Sequence, residues 1–400
     1  MCGISGIVNF HKKTNLEIVK KMNETITYRG PNHRSLWSNS FCSIGNVRLS
    51  IIDLSSNSNQ PFVSSDSKIS IIYNGEIYNF KKIKETYFPN VKFKSSGDGE
   101  VLLYLYEKYG IDFLSKIKGM FSIFISDEKK NKIYLIRDRF GIKPLYFSYN
   151  SLLRELTFCS EIPGIFVNKD IKKEQNFYET YKYLALGMTN ATDETWFKNI
   201  YQVKPSHYLE FSKNGLKKTK YYNLEQNIDE DLNESKKTFF NYTSEINEKI
   251  SNSFNEHTVY DVKGGIHQSG GLDSSLLVAL AKEQGKNFDT FTFDFEHKQF
   301  SEKEAASSLA KKFKLNNYSA TLKDSELINY LEKVVEIQYE PFSSLRVLSH
   351  HHLYEAFKNN CKVILDGSGG DEIFAGYKYH TLAWYFDMMN SNKLKNYKRR

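Results

Sequence analysis

The sequence predicts two domains of different class, an α+β layered domain followed by an α/β domain on a parallel sheet. Three observations lead there. The chain has 400 residues, enough for two independent hydrophobic cores. Its first 210 residues read as strands with few helices, whereas after about residue 238 strands alternate with helices, the pattern of a parallel sheet. Between them, Asn223 to Ser235 is polar, acidic and weakly periodic.

The elements follow in order. Ser43–Leu49 and Ile69–Tyr73 are short strand-like runs. Gly99–Tyr109 has apolar residues at 101, 102, 105 and 109, the spacing of a helix. Met120–Ser126 and Lys132–Arg137 flank Asp127-Glu128-Lys129-Lys130-Asn131, a β-hairpin with a five-residue loop. Two apolar hairpin strands need a covered face, hence the layered domain. We place this domain at 2–210, a linker at 211–236 and the second domain at 237–400. In the latter, Lys237–Phe254, Leu276–Glu283 and Glu302–Phe313 read as helices. A run ending at Ile266, then Phe288–Phe293 and Val363–Leu365, read as strands. No internal repeat is visible.

Composition excludes several classes. Hydrophobic residues at 40% and aromatics at 15% exclude a disordered chain, and 7 Pro with 22 Gly exclude collagen-like sequence. The longest aliphatic run, Leu276–Ala281, is too short to span a bilayer. Fifty-five basic residues against 47 acidic give a net charge of +8, which reads as a solvated lysine-rich surface, so no nucleic-acid or membrane partner is expected. The densest basic cluster, Lys393, Lys395, Lys398, Arg399 and Arg400, reads as a solvated segment. Cys2, Cys42, Cys159 and Cys361 form no CxxC pair, and the first residues lack the regions of a signal peptide. A reducing, cytoplasmic setting is expected.

Two loops of the second domain carry chemistry. Ser269-Gly270-Gly271-Leu272-Asp273-Ser274-Ser275 lies between a strand and a helix, where open parallel sheets bind ligands. Adjacent glycines admit backbone N–H groups to an anion, the serines add donors and the helix presents its N-terminus. Asp273 can hold a metal or cap the helix. The plain alternative is a glycine-rich turn; a Walker A loop is excluded because GK[ST] is absent. Asp366-Gly367-Ser368-Gly369-Gly370-Asp371-Glu372 follows the strand at Val363 and pairs carboxylates with glycines, as a Mg²⁺ and pyrophosphate site would. Together the loops describe one nucleotide crevice.

In the first domain, Cys2 becomes the terminal residue once Met1 is removed. It then carries a thiol and an α-amine of pKa about 7.7–8.0, which can serve as its own general base. Taken alone, it reads first as an ordinary small residue. The string Cys2-Gly3-Ile4-Ser5-Gly6-Ile7 resembles the start of class II glutamine amidotransferases, which are N-terminal nucleophile hydrolases. So do Arg29-Gly30-Pro31, Arg48-Leu49-Ser50-Ile51-Ile52-Asp53, Gln60-Pro61, Asn74-Gly75-Glu76-Ile77-Tyr78-Asn79, Arg137–Leu145 and Phe158-Cys159-Ser160-Glu161. With the Ser269–Ser275 loop, the whole chain resembles the glutamine-hydrolysing asparagine synthetase family, and its second loop resembles the PP-loop of ATP pyrophosphatases.

The resemblance implies an αββα N-terminal nucleophile sandwich followed by a PP-loop domain. It implies Cys2 as the nucleophile on the glutamine side-chain amide, with Asn74 and Gly75 as its oxyanion hole. Arg48 would pair with the glutamine α-carboxylate, Asp98 with its α-amine, and Glu76 would join the glutamine site. It assigns ATP to Ser269, Gly270, Gly271, Asp273, Ser274, Phe293, Asp366 and Gly367, and Mg²⁺ to Asp273 and Asp371, with Glu372 in the family's acidic pair. The implied reaction activates a carboxylate as an acyl-adenylate, which ammonia delivered through an internal tunnel converts to an amide, AMP being displaced. Partners are then glutamine, ATP and a carboxylate, aspartate first, with a homodimer as the assembly.

The chain departs from the family pattern in its second half. Ser368 stands where the family has a Glu that assists adenylate formation; Ser343-Ser344-Leu345-Arg346 follows Glu340-Pro341-Phe342 where an acidic residue is usual; and His267-Gln268 replace aliphatic residues before the first loop. These changes open the alternative that the acceptor is another carboxylate, such as a sugar acid of surface-polysaccharide biosynthesis, with Arg346 available to pair with it. The family extends further, so the synthetase half is expected to continue beyond Arg400. His350-His351-His352 is not expected to bind metal, because adjacent histidines on a helix point in different directions.

Overall fold

A computed structural model describes residues 1–227 and 238–390. They form two compact units: Met1–Asp261 with Val335–Ser344, and Val262–Val334 with the described residues from Leu345 onward.

The first unit holds two antiparallel sheets. Its strands are β1 (Gly3–Asn9), β2 (His33–Ser38), β3 (Cys42–Arg48), β4 (Phe62–Val63), β5 (Ile69–Ile77), β6 (Gly119–Asp127), β7 (Lys132–Arg137), β8 (Tyr146–Asn150), β9 (Glu155–Cys159), β10 (Tyr201–Gln202), β11 (His207–Ser212) and β12 (Gly215–Lys220). One sheet runs β10-β8-β9-β1-β3-β2, the other β12-β11-β7-β6-β5-β4.

Strand periodicity explains the layering. Along β6, Phe121, Ile123 and Ile125 pack toward the helices Phe80–Tyr87 and Glu100–Tyr109, while Phe124 points the other way. There it meets Ile4, Ile44 and Phe158 from the first sheet, with the Phe124 and Phe158 rings stacked at 4.9 Å. The outer face of the first sheet packs Ile7, Val47 and Cys159 against Val19, Met22 and Ile26 in and beside the helix Leu16–Thr25. A sheet covered on both faces buries every position of its inner strands, as in β1 and β3. The order helix–sheet–sheet–helix is the αββα sandwich that the resemblance implied.

The second unit is built on a parallel sheet of β13 (Gly264–His267), β14 (Asp289–Phe295), β15 (Asn317–Leu322) and β16 (Val363–Leu365), ordered β15-β14-β13-β16. From β13 the chain proceeds outward to β14 and β15, then returns to place β16 on the other side of β13. The order therefore reverses between β13 and β16, and that switch point is where such sheets hold ligands. Phe291, Phe293, Ala320, Leu322 and Leu353 form the core.

Element types agree with the sequence reading; boundaries differ for physical reasons. Asp127 pairs with Lys132, so the hairpin loop closes on four residues. β5 runs to Ile77, four residues past Tyr73, because β6 continues to pair with it. The helix expected from Leu276 starts at Leu272, capped by extended Gly271; its polar first turn reads as loop. The contact division falls after Asp261, not within 211–236, because the segment Phe239–Asp261 packs on the first unit. His257 lies 4.1 Å from Tyr78 ring to ring, and the Asp53 N–H donates to Asp261 Oδ2 at 2.7 Å. Residues 228–236 of the expected linker and the basic cluster from Lys393 to Arg400 lie outside the described residues. No described helix is long and apolar enough to cross a membrane.

The stacked Phe124 and Phe158 yield the first prediction. Phe124→Ala opens a cavity between the sheets and should cost about 3–5 kcal/mol. Urea unfolding of the full chain checks this; an unchanged first-unit midpoint would contradict the interior stacking.

Candidate functional site

A pocket at the end of the first unit's sandwich is lined by Cys2, Arg48, Leu49, Gln60, Tyr73, Asn74, Gly75, Glu76, Asp98 and Lys143, with Met1 at its side. The structure thus brings every residue expected for glutamine into one cavity. Cys2 precedes β1, and its position is fixed from several directions. Arg29 Nε donates to the Cys2 carbonyl at 3.0 Å, and Arg29 is held by an ion pair with Glu161. The Cys2 sulfur lies 3.4 Å from the Leu49 N–H, which donates to it. Burial raises the Cys2 thiol above its ordinary value, so it rests protonated at neutral pH. The α-amine of Met1, which precedes Cys2 here, is lowered to about 5, chiefly by burial, with the Arg29 and Lys143 cations acting in the same direction.

Asn74 is the most informative side chain. It is 1% exposed, and neither its amide nitrogen nor its amide oxygen has a partner in the structure. A buried polar group without a hydrogen bond costs about 1–3 kcal/mol, so such a group calls for an explanation in ligand binding. Gly75 is explained by the strand register. Phe121, its partner on β6, turns both its N–H and its C=O to Asp138, so Gly75 presents its own groups to the opposite edge of β5. Along that edge Gln60 occupies Tyr73, and Asp98 takes the Ile77 N–H at 2.8 Å. The Gly75 N–H lies between them, next to the orphaned Asn74. A Cβ on Gly75 would stand 2.1 Å from the Met120 carbonyl, so only glycine fits.

Arg48 and Asp98 are both buried in the pocket wall but partly committed to the fold. The Nη groups of Arg48 donate to the Ser55, Ile52 and Asp53 carbonyls and to Asn59, leaving its Nε–H as the donor for a ligand. Asp98 accepts from Tyr73 Oη at 2.7 Å, and burial raises its carboxyl. Glu76 is raised to about 7 by burial, reinforced by Asp98 and opposed by Lys143.

Sequence reasoning missed Lys143 and the scaffold that delivers it. Lys143 is buried, and burial lowers its ammonium pKa. Asp138 accepts backbone N–H groups from Phe121, Phe140, Ile142 and Lys143, while Arg137 clamps the Gly141, Lys143 and Val203 carbonyls. The motif Arg137–Leu145 was quoted for its resemblance; its charged residues hold a loop, and the one that reaches the pocket is its lysine.

In the second unit the two glycine loops meet. Gly270 has φ +78°, which lets the first loop turn into its helix. A Cβ on Gly367 would stand 3.0 Å from the Ser274 N, and one on Gly370 2.5 Å from the Asp273 carboxyl carbon. The cradle is thus lined by backbone, Ser269, Ser274 and Asp273, with Asp371 following Gly370. Phe293, expected at an adenosine pocket, packs in the core beside Phe295 and His352. Asp366 accepts from Ser368 N–H at 2.8 Å and from the Ser368 hydroxyl through one oxygen, and lies 2.7 Å from His267 Nδ1 through the other. Burial acts to raise the Asp366 carboxyl, but His267 and Ser368 outweigh it and hold it well below the usual range. Gln268 is fully buried with both amide atoms unpaired. Glu340 is held inside the first unit, accepting from the Trp196 N–H at 3.1 Å.

The raised Glu76 carboxyl makes a pH prediction. Its folded value of about 7 exceeds its ordinary 4.5, so the folded state binds the extra proton between them. Stability from this group is complete below about 4.5 and is lost as pH rises through about 7. Glu76→Gln should flatten the fall in melting temperature over that interval; a variant with the parent's full slope would refute the assignment.

Residues 1–222 match the glutamine amidotransferase domain family and residues 245–399 the asparagine synthase family. A Bacillus subtilis (strain 168) protein named asparagine synthetase (glutamine-hydrolyzing) 2 is 34% identical, over 94% of this chain and 52% of its own length. A Methanocaldococcus jannaschii protein named for the same family is 31% identical, over 97% of this chain and 78% of its own. A Gibberella zeae protein named amidase chry2 is 26% identical, over 94% of this chain and 59% of its own. The chain spans about half the length of the Bacillus relative. On these matches, the chain belongs to the glutamine-hydrolysing asparagine synthetase family.

Proposed function

We propose that this protein hydrolyses glutamine at the first unit and uses the ammonia for an ATP-dependent amidation of a carboxylate at the second. The first reading of the acceptor is aspartate, giving asparagine, AMP, pyrophosphate and glutamate. The observation that carries the proposal is Asn74, a buried amide without a partner in the pocket of Cys2. A carbonyl oxygen that gains negative charge as the Cys2 sulfur attacks would accept from the Asn74 amide and the Gly75 N–H. Those donors act most strongly on the developing oxyanion, in a site shielded from water. The amine of Cys2, freed by removal of Met1, would take the thiol proton and return it to the departing ammonia. Arg48 Nε and Asp98 would receive the carboxylate and ammonium of the substrate, and Glu76 would complete the site.

The cradle of the second unit fits a phosphate chain, because side chains are excluded at Gly367 and Gly370 and the helix after Gly271 opens toward it. Ser269, Gly270, Gly271, Ser274, Asp366 and Gly367 would hold ATP, and Asp273 with Asp371 would hold its Mg²⁺. ATP supplies the leaving group that makes a carboxylate electrophilic. Phe293 would support this pocket from the core.

A second reading, a different carboxylate such as a sugar acid, is favoured by the tethered Ser368. Its hydroxyl is engaged with Asp366, so the carboxylate of this loop stands two residues before the position where the family carries Glu. The unpaired Gln268 amide adds a polar group beside the cradle, and a relative named as an amidase supports diversity among similar chains.

ATP–pyrophosphate exchange on the full-length protein, with aspartate and a panel of uronic and amino-sugar acids, separates these readings. Exchange confined to aspartate supports the first and exchange confined to another acid the second; no exchange with any acid would refute the ligase. Cys2→Ala should abolish glutamine-driven turnover while ammonia restores it. Asn74→Ala should lower glutamine hydrolysis by about 10²–10³-fold without lowering stability, since no internal hydrogen bond is lost. A stability loss comparable with that of a bonded core amide would identify Asn74 as structural.

A further inference from the structure

Three elements of the second unit converge where the parallel sheet reverses its order. β13 ends in His267, the loop after β16 begins with Asp366, and the helix Arg346–Phe357 contributes His350. One ligand atom from each, two imidazole nitrogens and a carboxylate oxygen, lie within 4.8 Å of one another. His267 is 8% exposed, and its Nδ1 is 2.7 Å from Asp366 Oδ2. The His350 ring stands edge-on to that of His267 with centroids 5.3 Å apart.

We propose that His267, His350 and Asp366 form a binding site for a divalent transition-metal ion of the zinc class. Two imidazoles and one carboxylate are the donor set such ions prefer, and three protein ligands leave a fourth position for water. Around zinc at about 2.0–2.1 Å, ligand atoms stand about 3.4 Å apart. Coordination therefore draws the widest pair together by up to about 1.4 Å and replaces the 2.7 Å His267–Asp366 hydrogen bond with a separation of about 3.4 Å. Outer hydrogen bonds already orient the carboxylate: Ser368 holds Asp366 Oδ1 through its N–H and hydroxyl, which leaves Oδ2 directed at the histidines. The other two histidines of the triplet turn elsewhere. His351 meets Tyr330 Oη at 2.6 Å, and His352 packs edge-on to Phe293. Adjacency on the helix thus contributes a single ligand, and the remaining two come from residues 83 and 16 positions away in sequence. The bound ion would tie both strand ends and the helix together beside the glycine loops. This site shares Asp366 with the proposed ATP cradle but none of the proposed Mg²⁺ ligands, Asp273 and Asp371, and its imidazole donors disfavour Mg²⁺.

The test is Zn²⁺ uptake by the full-length protein stripped with chelator, followed by competition with a chromophoric indicator in the absence of glutamine and ATP. One equivalent should bind, a millimolar excess of Mg²⁺ should not displace it, and His350→Gln should weaken it by more than ~100-fold. His267→Asn provides a second variant, with thermal unfolding of each protein checking that it remains folded. Cobalt substitution should give visible ligand-field bands without a sulfur charge-transfer band. No stoichiometric uptake, undiminished affinity in both folded variants, or a sulfur band placing the ion on cysteine would each overturn the proposal. Because the readout is metal binding alone, failure of the ligase reading would leave this result interpretable.

Discussion

β1 is paired on both sides, with β3 from Gly3 opposite Val47 and with β9 from Ser5 opposite Cys159, and the Cys2 pocket depends on that double pairing. A chain start is ordinarily the least ordered part of a domain. Here it is the interior of a six-stranded sheet, so residue 2 leaves the sheet at a defined point. Small residues make this possible. A Cβ on Gly6 would stand 2.6 Å from the Phe158 ring, and that ring stacks on Phe124 of the opposite sheet. A Cβ on Gly30 would stand 2.3 Å from the Val47 carbonyl carbon, so Arg29 can approach closely enough to hold Cys2. The glycines thus join interior packing to the placement of the sulfur.

Much of the charge around the pocket serves placement. Asp53 accepts from Ser55, Ser58, Ser95 and the Ser96 N–H. Burial acts to raise its carboxyl, yet those bonds outweigh it and hold it well below the usual range. The loop it organises supplies acceptors to Arg48, and Asp138 does the same for the loop carrying Lys143. Asp53 is thus stabilised by converging N–H and O–H donors rather than by a counter-ion, and Asp138 gathers four backbone N–H groups. The pocket that results contains groups with opposite tendencies: Glu76 and Asp98 are raised, Lys143 and the terminal amine are lowered. Burial is the leading cause of all four shifts.

The second unit works by a different constraint, the reversal of strand order between β13 and β16. Reversal separates the helices that follow the two strands and leaves their loops side by side. Gly367 and Gly370 then lie against Asp273 and Ser274, close enough to exclude side chains. Three departures from the family pattern, at His267, Gln268 and Ser368, gather around the same strand ends. Their juxtaposition gives this unit a chemistry that its glycine loops alone do not.

The sequence by itself determined the class of each half, since strand and helix periodicities reflect which faces are buried. Val363–Leu365 and Lys132–Arg137 were legible to the residue because apolar runs end at turn residues there. The candidate residues of the glutamine pocket were legible too, through contiguous motifs such as Asn74-Gly75. Tertiary structure decided what those residues are free to do. Only the register of β5 on β6 shows that Gly75 presents its N–H to an open edge, and only packing shows that Asn74 is unpartnered while Arg48 is largely engaged. It also brings His350 beside His267 and Asp366, a grouping that the reading of the triplet along its own helix did not address. Spacing along one helix says nothing of a ligand set assembled from β13, β16 and that helix, because such contacts arise from sheet order, which no local pattern encodes.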